Sequence, residues 1–184
     1  MEKRITWQSE DGTGDEQFAM QQSKDEIRIT SRARGGDSDL STKWDVTYSL
    51  VCDTAWRTRS FVVDEHDTRR HLEVQSDGNG HWKDGNGKEL KSIAGCIDID
   101  FRATPFSNTL PIRRLHPGIG KSVAIDVAYI NAPDLALSRV RQIYTRLSEN
   151  TWKFQQPEVN FEAVITVDDE GLVVDYPGLF HQTA

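Results

Sequence analysis

Apolar and polar positions alternate with period two through most of the chain. In Lys43–Cys52, Trp44, Val46, Tyr48, Leu50 and Cys52 fall on one side of an extended backbone, and Lys43, Asp45, Thr47 and Ser49 fall on the other. Successive side chains of a strand point to opposite faces, so this pattern predicts a strand with one buried face. Ser122–Ile130 repeats it through Val123, Ile125, Val127 and Tyr129, and Phe161–Val167 does so through Phe161, Ala163, Ile165 and Val167. Further strands are predicted at Glu26–Arg34, Trp56–Asp64, Arg69–Gln75, Ile97–Phe101, Thr151–Gln155 and Leu172–Tyr176.

Turn signals separate these runs. Asp77-Gly78-Asn79-Gly80 and Asp84-Gly85-Asn86-Gly87 bracket His81-Trp82-Lys83, which reads as a short strand in a meander, with the glycines supplying the positive φ that tight turns require. An EF-hand calcium loop needs a glutamate at its twelfth position; counted from Asp77 that position is Lys88, so these are read as hairpin turns. Leu137–Leu147 fits helical spacing as well as a strand, and its Val140, Ile143, Tyr144 and Thr145 favour the strand. A short helical turn is predicted at Pro105–Asn108, with Thr104 as its cap, Pro105 at its first position and Pro111 ending any continuation. Gly35–Ser41 reads as a loop. No shift in composition divides the chain, so one all-β domain over residues 1–184 is expected. Its architecture would be a strongly curved, partly closed antiparallel sheet with only short helical turns.

Composition narrows the function. A chain of 184 residues can bury roughly 70% of its unfolded surface and needs no staples. Its 22 Lys and Arg against 29 Asp and Glu leave a net charge of −7, a field that repels a phosphate backbone and argues against nucleic acid as a partner. The start, MEKRITWQSEDG, has no apolar stretch of the secretory type. No apolar run reaches the ~18 residues a membrane span requires. Cys52 and Cys96 lie far apart outside any CxxC pair, so a cytoplasmic protein with two reduced thiols is expected. Nothing in the pattern fixes the oligomeric state.

No catalytic motif stands out. There is no GxSxG elbow or phosphate loop, and His66, His71, His81, His116 and His181 lack metal-ligand spacing, so neither a cofactor nor a metal is expected. The sharpest chemical feature is Asp98 and Asp100, which spacing two places on one face of a strand with Ile97, Ile99 and Phe101 opposite. Paired carboxylates can perform acid–base chemistry, ligate a metal or bind sugar hydroxyls. They can also pair with arginines, and Arg57, Arg59, Arg113 and Arg114 are the candidates. Among the aromatics on predicted strands, Trp44, Trp56, Trp82, Tyr129, Tyr144 and Trp152 serve either as core or as the wall of a cavity.

The run Gly95-Cys96-Ile97-Asp98-Ile99-Asp100-Phe101-Arg102-Ala103-Thr104-Pro105-Phe106-Ser107-Asn108-Thr109-Leu110-Pro111-Ile112-Arg113-Arg114-Leu115 closely resembles the signature of the glycolipid-binding family of bacterial proteins. Asp53-Thr54-Ala55-Trp56-Arg57-Thr58-Arg59, Val127-Ala128-Tyr129, Tyr144-Thr145-Arg146-Leu147 and Asp175-Tyr176-Pro177-Gly178-Leu179-Phe180 resemble its other motifs, so the resemblance spans Trp44 to Phe180. It implies a spiral, half-barrel sheet similar to the periplasmic lipoprotein carriers, which enclose an apolar cavity for acyl chains. The carriers are exported, whereas a cytoplasmic ligand is expected here. The expectation is a non-enzymatic protein that holds a lipid or glycolipid in an apolar cavity. Its candidate ligand contacts are Trp56, Arg57, Arg59, Asp98, Asp100, Thr104, Asn108, Arg113, Arg114 and Tyr129, and Thr109 could add a neutral hydrogen bond. Two alternatives stay open: an enzyme acting on an amphiphile through Asp98 and Asp100, and a protein-interaction module without a small ligand.

Overall fold

A computed structural model describes residues 2–37 and 42–183, and in it the alternating segments pair into one 14-stranded sheet. Strands β1 (Glu2–Ser9), β2 (Asp15–Gln22), β3 (Glu26–Gly36), β4 (Lys43–Asp53), β5 (Thr58–Glu65), β6 (Arg70–Ser76) and β7 (Trp82–Asp84) form an antiparallel meander. A second meander comprises β9 (Ser122–Ile130), β10 (Leu137–Arg146), β11 (Thr151–Gln156), β12 (Phe161–Val167), β13 (Val173–Tyr176) and β14 (Phe180–Thr183). β14 pairs with β1 and joins the two halves. At the far edge, β8 (Ile99–Phe101) pairs parallel with β9, the exception in an otherwise antiparallel order.

One face of each half is buried. In β3, Ile27, Ile29, Ser31 and Ala33 point inward, and in β4 Trp44, Val46, Tyr48, Leu50 and Cys52 do so. The chain between β7 and β8 ties distant strands of the sheet together. Gly95 N donates to Gly80 O at 2.8 Å, Trp82 Nε1 donates to Cys96 O at 2.7 Å, and Arg139 of β10 donates to Ala94 O.

Residues 98–112 then run through the curl. Ile99, Phe101, Ala103, Phe106 and Leu110 join the core of the first meander. Ile112 packs instead with Tyr144, Trp152, Phe154, Ile165, Val167, Val173 and Tyr176 of the second. The segment is therefore the filling between the two halves of the sheet, and it occupies the interior where a cavity for acyl chains was expected. Each large apolar side chain buried there contributes roughly 1.5–3 kcal/mol, before chain entropy is counted.

Several local expectations need correction. The strand expected from Ile97 starts at Ile99, and the one expected from Trp56 starts at Thr58. Gly35 and Gly36 finish β3, and Ser38–Ser41 of the expected loop lie outside the described residues. A Cβ at Gly35 would come within 2.8 Å of the Trp44 ring, so only glycine lets this strand cross Trp44. Thr104 caps the 3-10 turn Pro105–Asn108 by accepting from Phe106 N at 3.0 Å, as its position predicts. Pro111 does not stop the chain, because the turn runs on into a short helix, α1 (Thr109–Arg114). Pro111 sits in the first turn of that helix, where no intrahelical partner awaits its missing N–H. Leu137–Arg146 is a strand. Cys52 and Cys96 are buried and free, and burial pushes both thiol pKa values up.

Candidate functional site

The site grows from the turn between β4 and β5. Trp56 N donates to Asp53 O at 2.9 Å, and Asp53 Oδ1 accepts from the backbone N–H groups of Ala55 and Arg57 at 3.0 and 3.1 Å. This turn holds Trp56 at φ +62°, in the left-handed region, which costs a residue with a Cβ about 1–2 kcal/mol. The turn's own hydrogen bonds offset that strain and aim the indole inward, beneath the end of α1. There Ile112 turns into the core, and Arg113 places its guanidinium carbon 5.1 Å from the centre of the Trp56 ring. Gly171 makes room for the Arg113 stem, since a Cβ at that position would lie 2.8 Å from Arg113 Cδ.

Around this stack lies a cleft of about 910 Å³ that also takes in Arg57, Arg114, His116, Arg146 and Trp152. A second stack faces it, with the Arg146 guanidinium 5.9 Å from the Trp152 ring centre. The two residues are cross-strand partners on β10 and β11, which puts them on the same face. Ile97, Ile112 and Val167 add apolar floor.

Beneath the cleft, Arg114 binds Asp98 with two parallel bonds, Nε to Oδ1 at 3.1 Å and Nη2 to Oδ2 at 2.6 Å. Asp98 is fully buried, and burial outweighs the arginine, so its pKa is raised. Asp100 takes a different partner, Gln142, whose Nε2 donates at 2.6 Å. Burial raises Asp100 to about 6, against the lowering effect of that bond. The Tyr144 hydroxyl lies 3.0 Å from Asn108 Oδ1 and 3.3 Å from Gln142 Oε1, which extends the network to the filling segment.

A model of the family described as "Putative glycolipid-binding" matches residues 4–182. The chain belongs to this family. A crystal structure of a DUF1089 family protein from Pseudomonas aeruginosa is similar at 38% identity, with a TM-score of 0.81 over 91% of this chain and 92% of that one. No curated protein matches the chain.

For this glycolipid-binding family member, the structure brings together four of the ten residues singled out from sequence. Trp56, Arg57, Arg113 and Arg114 line one cleft, with Asp98 directly below. Arg57 and Arg59 are held by Asp53 at 2.8 and 3.8 Å, so neither is the partner of Asp98 or Asp100. Asn108 and Asp100 sit in the interior network, while Tyr129 is the register partner of Asp100 across β8 and β9. Thr104 belongs elsewhere, its hydroxyl 3.1 Å from the Tyr48 hydroxyl on the first meander's side of the filling. Gln142 was not anticipated, Arg146 was not singled out as a contact, and Trp152 was named only as core or cavity wall. The cross-strand register that pairs Arg146 with Trp152 would have revealed them, but it depends on where the β10–β11 hairpin turns.

Glu16 is the other residue missed. It is buried, with Oε1 accepting from Ser31 Oγ and from the Tyr48 hydroxyl, each at 2.7 Å, and with Oε2 unpartnered among the described residues. Its inward direction follows from period two with Phe18 and Met20. Burial, opposed by these hydrogen bonds, raises its pKa from 4.5 to about 7. The folded state thus prefers the neutral form. That preference stabilises fully below the unfolded value and is lost as pH rises from about 4.5 through 7. The Glu16→Gln variant, which does not titrate, is expected to remove a fall on the order of 3 kcal/mol across that window. Urea unfolding midpoints of both proteins at a series of pH values check this, and parallel profiles would refute it.

Proposed function

We propose that this protein binds a glycolipid-like amphiphile without transforming it, gripping the headgroup in the arginine–tryptophan cleft. The observation that carries the reading is the pair of stacks, Arg113 on Trp56 and Arg146 on Trp152, facing one cleft of about 910 Å³. The arginines held over the two buried indoles supply donors to a headgroup's oxygens. The volume is that of a small-molecule site. Ile97, Ile112 and Val167 give the first methylenes of an alkyl chain an apolar surface. The family description supports the same class of ligand. The buried free thiols favour the cytoplasm as the place of action. With residues 98–112 filling the curl, this reading puts the ligand at the mouth of the roll.

Alkyl glycosides of increasing chain length test the proposal. Tryptophan fluorescence should report binding, and affinity should rise at most about fourfold per added methylene, because each contributes about 0.8 kcal/mol. Native mass spectrometry should show the complexes at one-to-one stoichiometry. A clean unliganded mass and an unchanged fluorescence across the series would sink the proposal. One observation favours an enzyme as a second reading: Asp100 is partly accessible, free of an arginine and poised at about 6, as a general acid–base group requires. Turnover of a glycoside in the same titrations, abolished by Asp100→Asn, would replace the first reading with this one.

A further inference from the structure

The cleft's four arginines are not equivalent. Arg57 is bound by Asp53 and Asn79, Arg114 by Asp98, and Arg146 donates to the carbonyls of Ser148 and Pro117. Arg113 has neither a hydrogen bond nor an ion pair among the described residues, and its Nε is buried without an acceptor. Buried polar groups are nearly always satisfied, so a guanidinium left open in a built position needs a reason. The position is built at some cost, since it uses a strained Trp56 beneath the guanidinium and a glycine at 171 beside its stem. A protein with a net charge of −7 does not lack carboxylates to place there.

The cleft's own acids leave the gap open. Asp168 is taken by Lys3 at 2.6 Å, and Asp169 accepts from Asn150 at 3.1 Å. Glu149 also lines the cleft and makes no ion pair with Arg113. These carboxylates can accept sugar hydroxyls, a complementary task.

We infer that Arg113 is the anion-recognition residue of the cleft, and that the headgroup it selects is acidic, carrying a carboxylate, phosphate or sulfate. The inference rests on the amphiphile reading given above. With its carbon 5.1 Å from the Trp56 ring centre and no acceptor among the described residues, the guanidinium keeps its N–H donors for a ligand, and they match an oxyanion. The ligand's charge then replaces the counter-ion that the chain leaves out.

Calorimetric titration near neutral pH, where a uronate carboxylate is ionised, tests the assignment with four probes. These are octyl glucuronide, octyl glucoside, free glucuronate and inorganic phosphate. Octyl glucuronide should bind about tenfold or more tightly than octyl glucoside, the effect of a hydrogen bond to a charged group. Arg113→Gln should bring the ratio of the two affinities close to one. Equal affinities in the native protein, or an unchanged ratio in the variant, would overturn the acidic headgroup and leave the amphiphile reading standing. Free glucuronate and phosphate binding as tightly as octyl glucuronide, with octyl glucoside silent, would keep the anion site and overturn the amphiphile reading. Silence from all four would overturn both. Should Arg113→Gln fail to fold, Arg113→Lys keeps the charge and loses the forked edge. It must narrow the ratio several-fold, and a ratio unmoved in that variant equally overturns the assignment.

Discussion

Replacing Phe101 with alanine is expected to destabilise the protein by about 3–5 kcal/mol, the usual cost of truncating a buried phenylalanine. Phe101 is the centre of an aromatic trio, edge-on to Tyr48 at 5.6 Å and to Phe61 at 5.4 Å. Tyr48 and Phe61 belong to β4 and β5, whereas Phe101 belongs to the segment inside the curl. The substitution therefore removes one of the main contacts by which the filling adheres to the first meander. It also leaves a void that neighbouring strands, fixed by their ladders, can only partly collapse into. For a chain of this size the melting temperature should drop by roughly 6–20 °C. Val164→Ala, on the exposed face of β12, is the control and should change stability by less than about 0.5 kcal/mol. Denaturant unfolding of the three proteins checks the difference. A loss below about 1 kcal/mol for Phe101→Ala would mean that the segment is a loosely held occupant of the roll, and the interior would again be open to an acyl chain.

That contrast marks where sequence reasoning stopped. Strands with four or five inward apolar residues, such as β4, were legible because burial and period two agree. β1 was not, since only Ile5 and Trp7 point into the core from it, and β2 starts its inward row with the carboxylate of Glu16. β14 has no alternation to read; its four residues are all half-buried, and backbone pairing to β1 and β13 holds it in place. Asp98 and Asp100 were expected on one face of a strand, but the strand begins only at Ile99, and the identity of their partners was not legible. Arg57 and Arg59 matched them in spacing, yet Asp53 lies only four residues before Arg57 and claims both arginines within a single turn. The run from Asp98 to Ile112 was visibly unusual, but apolar residues that line a cavity and apolar residues that fill it have the same composition. Only the position of the segment between the two half-sheets distinguishes them.

Arg114→Ala should cost about as much as the loss of Phe101, for an electrostatic reason. Asp98 is 1% exposed at its side chain, and both of its oxygens are bound by Arg114 alone among the described residues. Removing the arginine strands a buried carboxylate, and breaking such pairs from one side costs about 3–5 kcal/mol. The carboxylate has one escape, which is to bind a proton. Burial already holds its pKa above the ordinary 3.8 while Arg114 pulls it down, so without Arg114 it must rise further. A folded-state pKa above the unfolded value makes the penalty complete at high pH and absent below the unfolded value. The gap between native protein and variant should therefore close as pH falls toward about 4, and it should stay wide at pH 8. Asp98→Asn combined with Arg114→Gln removes both charges and should recover much of the loss at neutral pH. A gap that is small, or that does not narrow in acid, would show that the pair is dispensable. Its role reaches the cleft as well. By pinning the last residue of α1 to β8's approach, Arg114 fixes the residue before it, so Arg114→Ala should also erode the preference for an acidic headgroup that Arg113 confers.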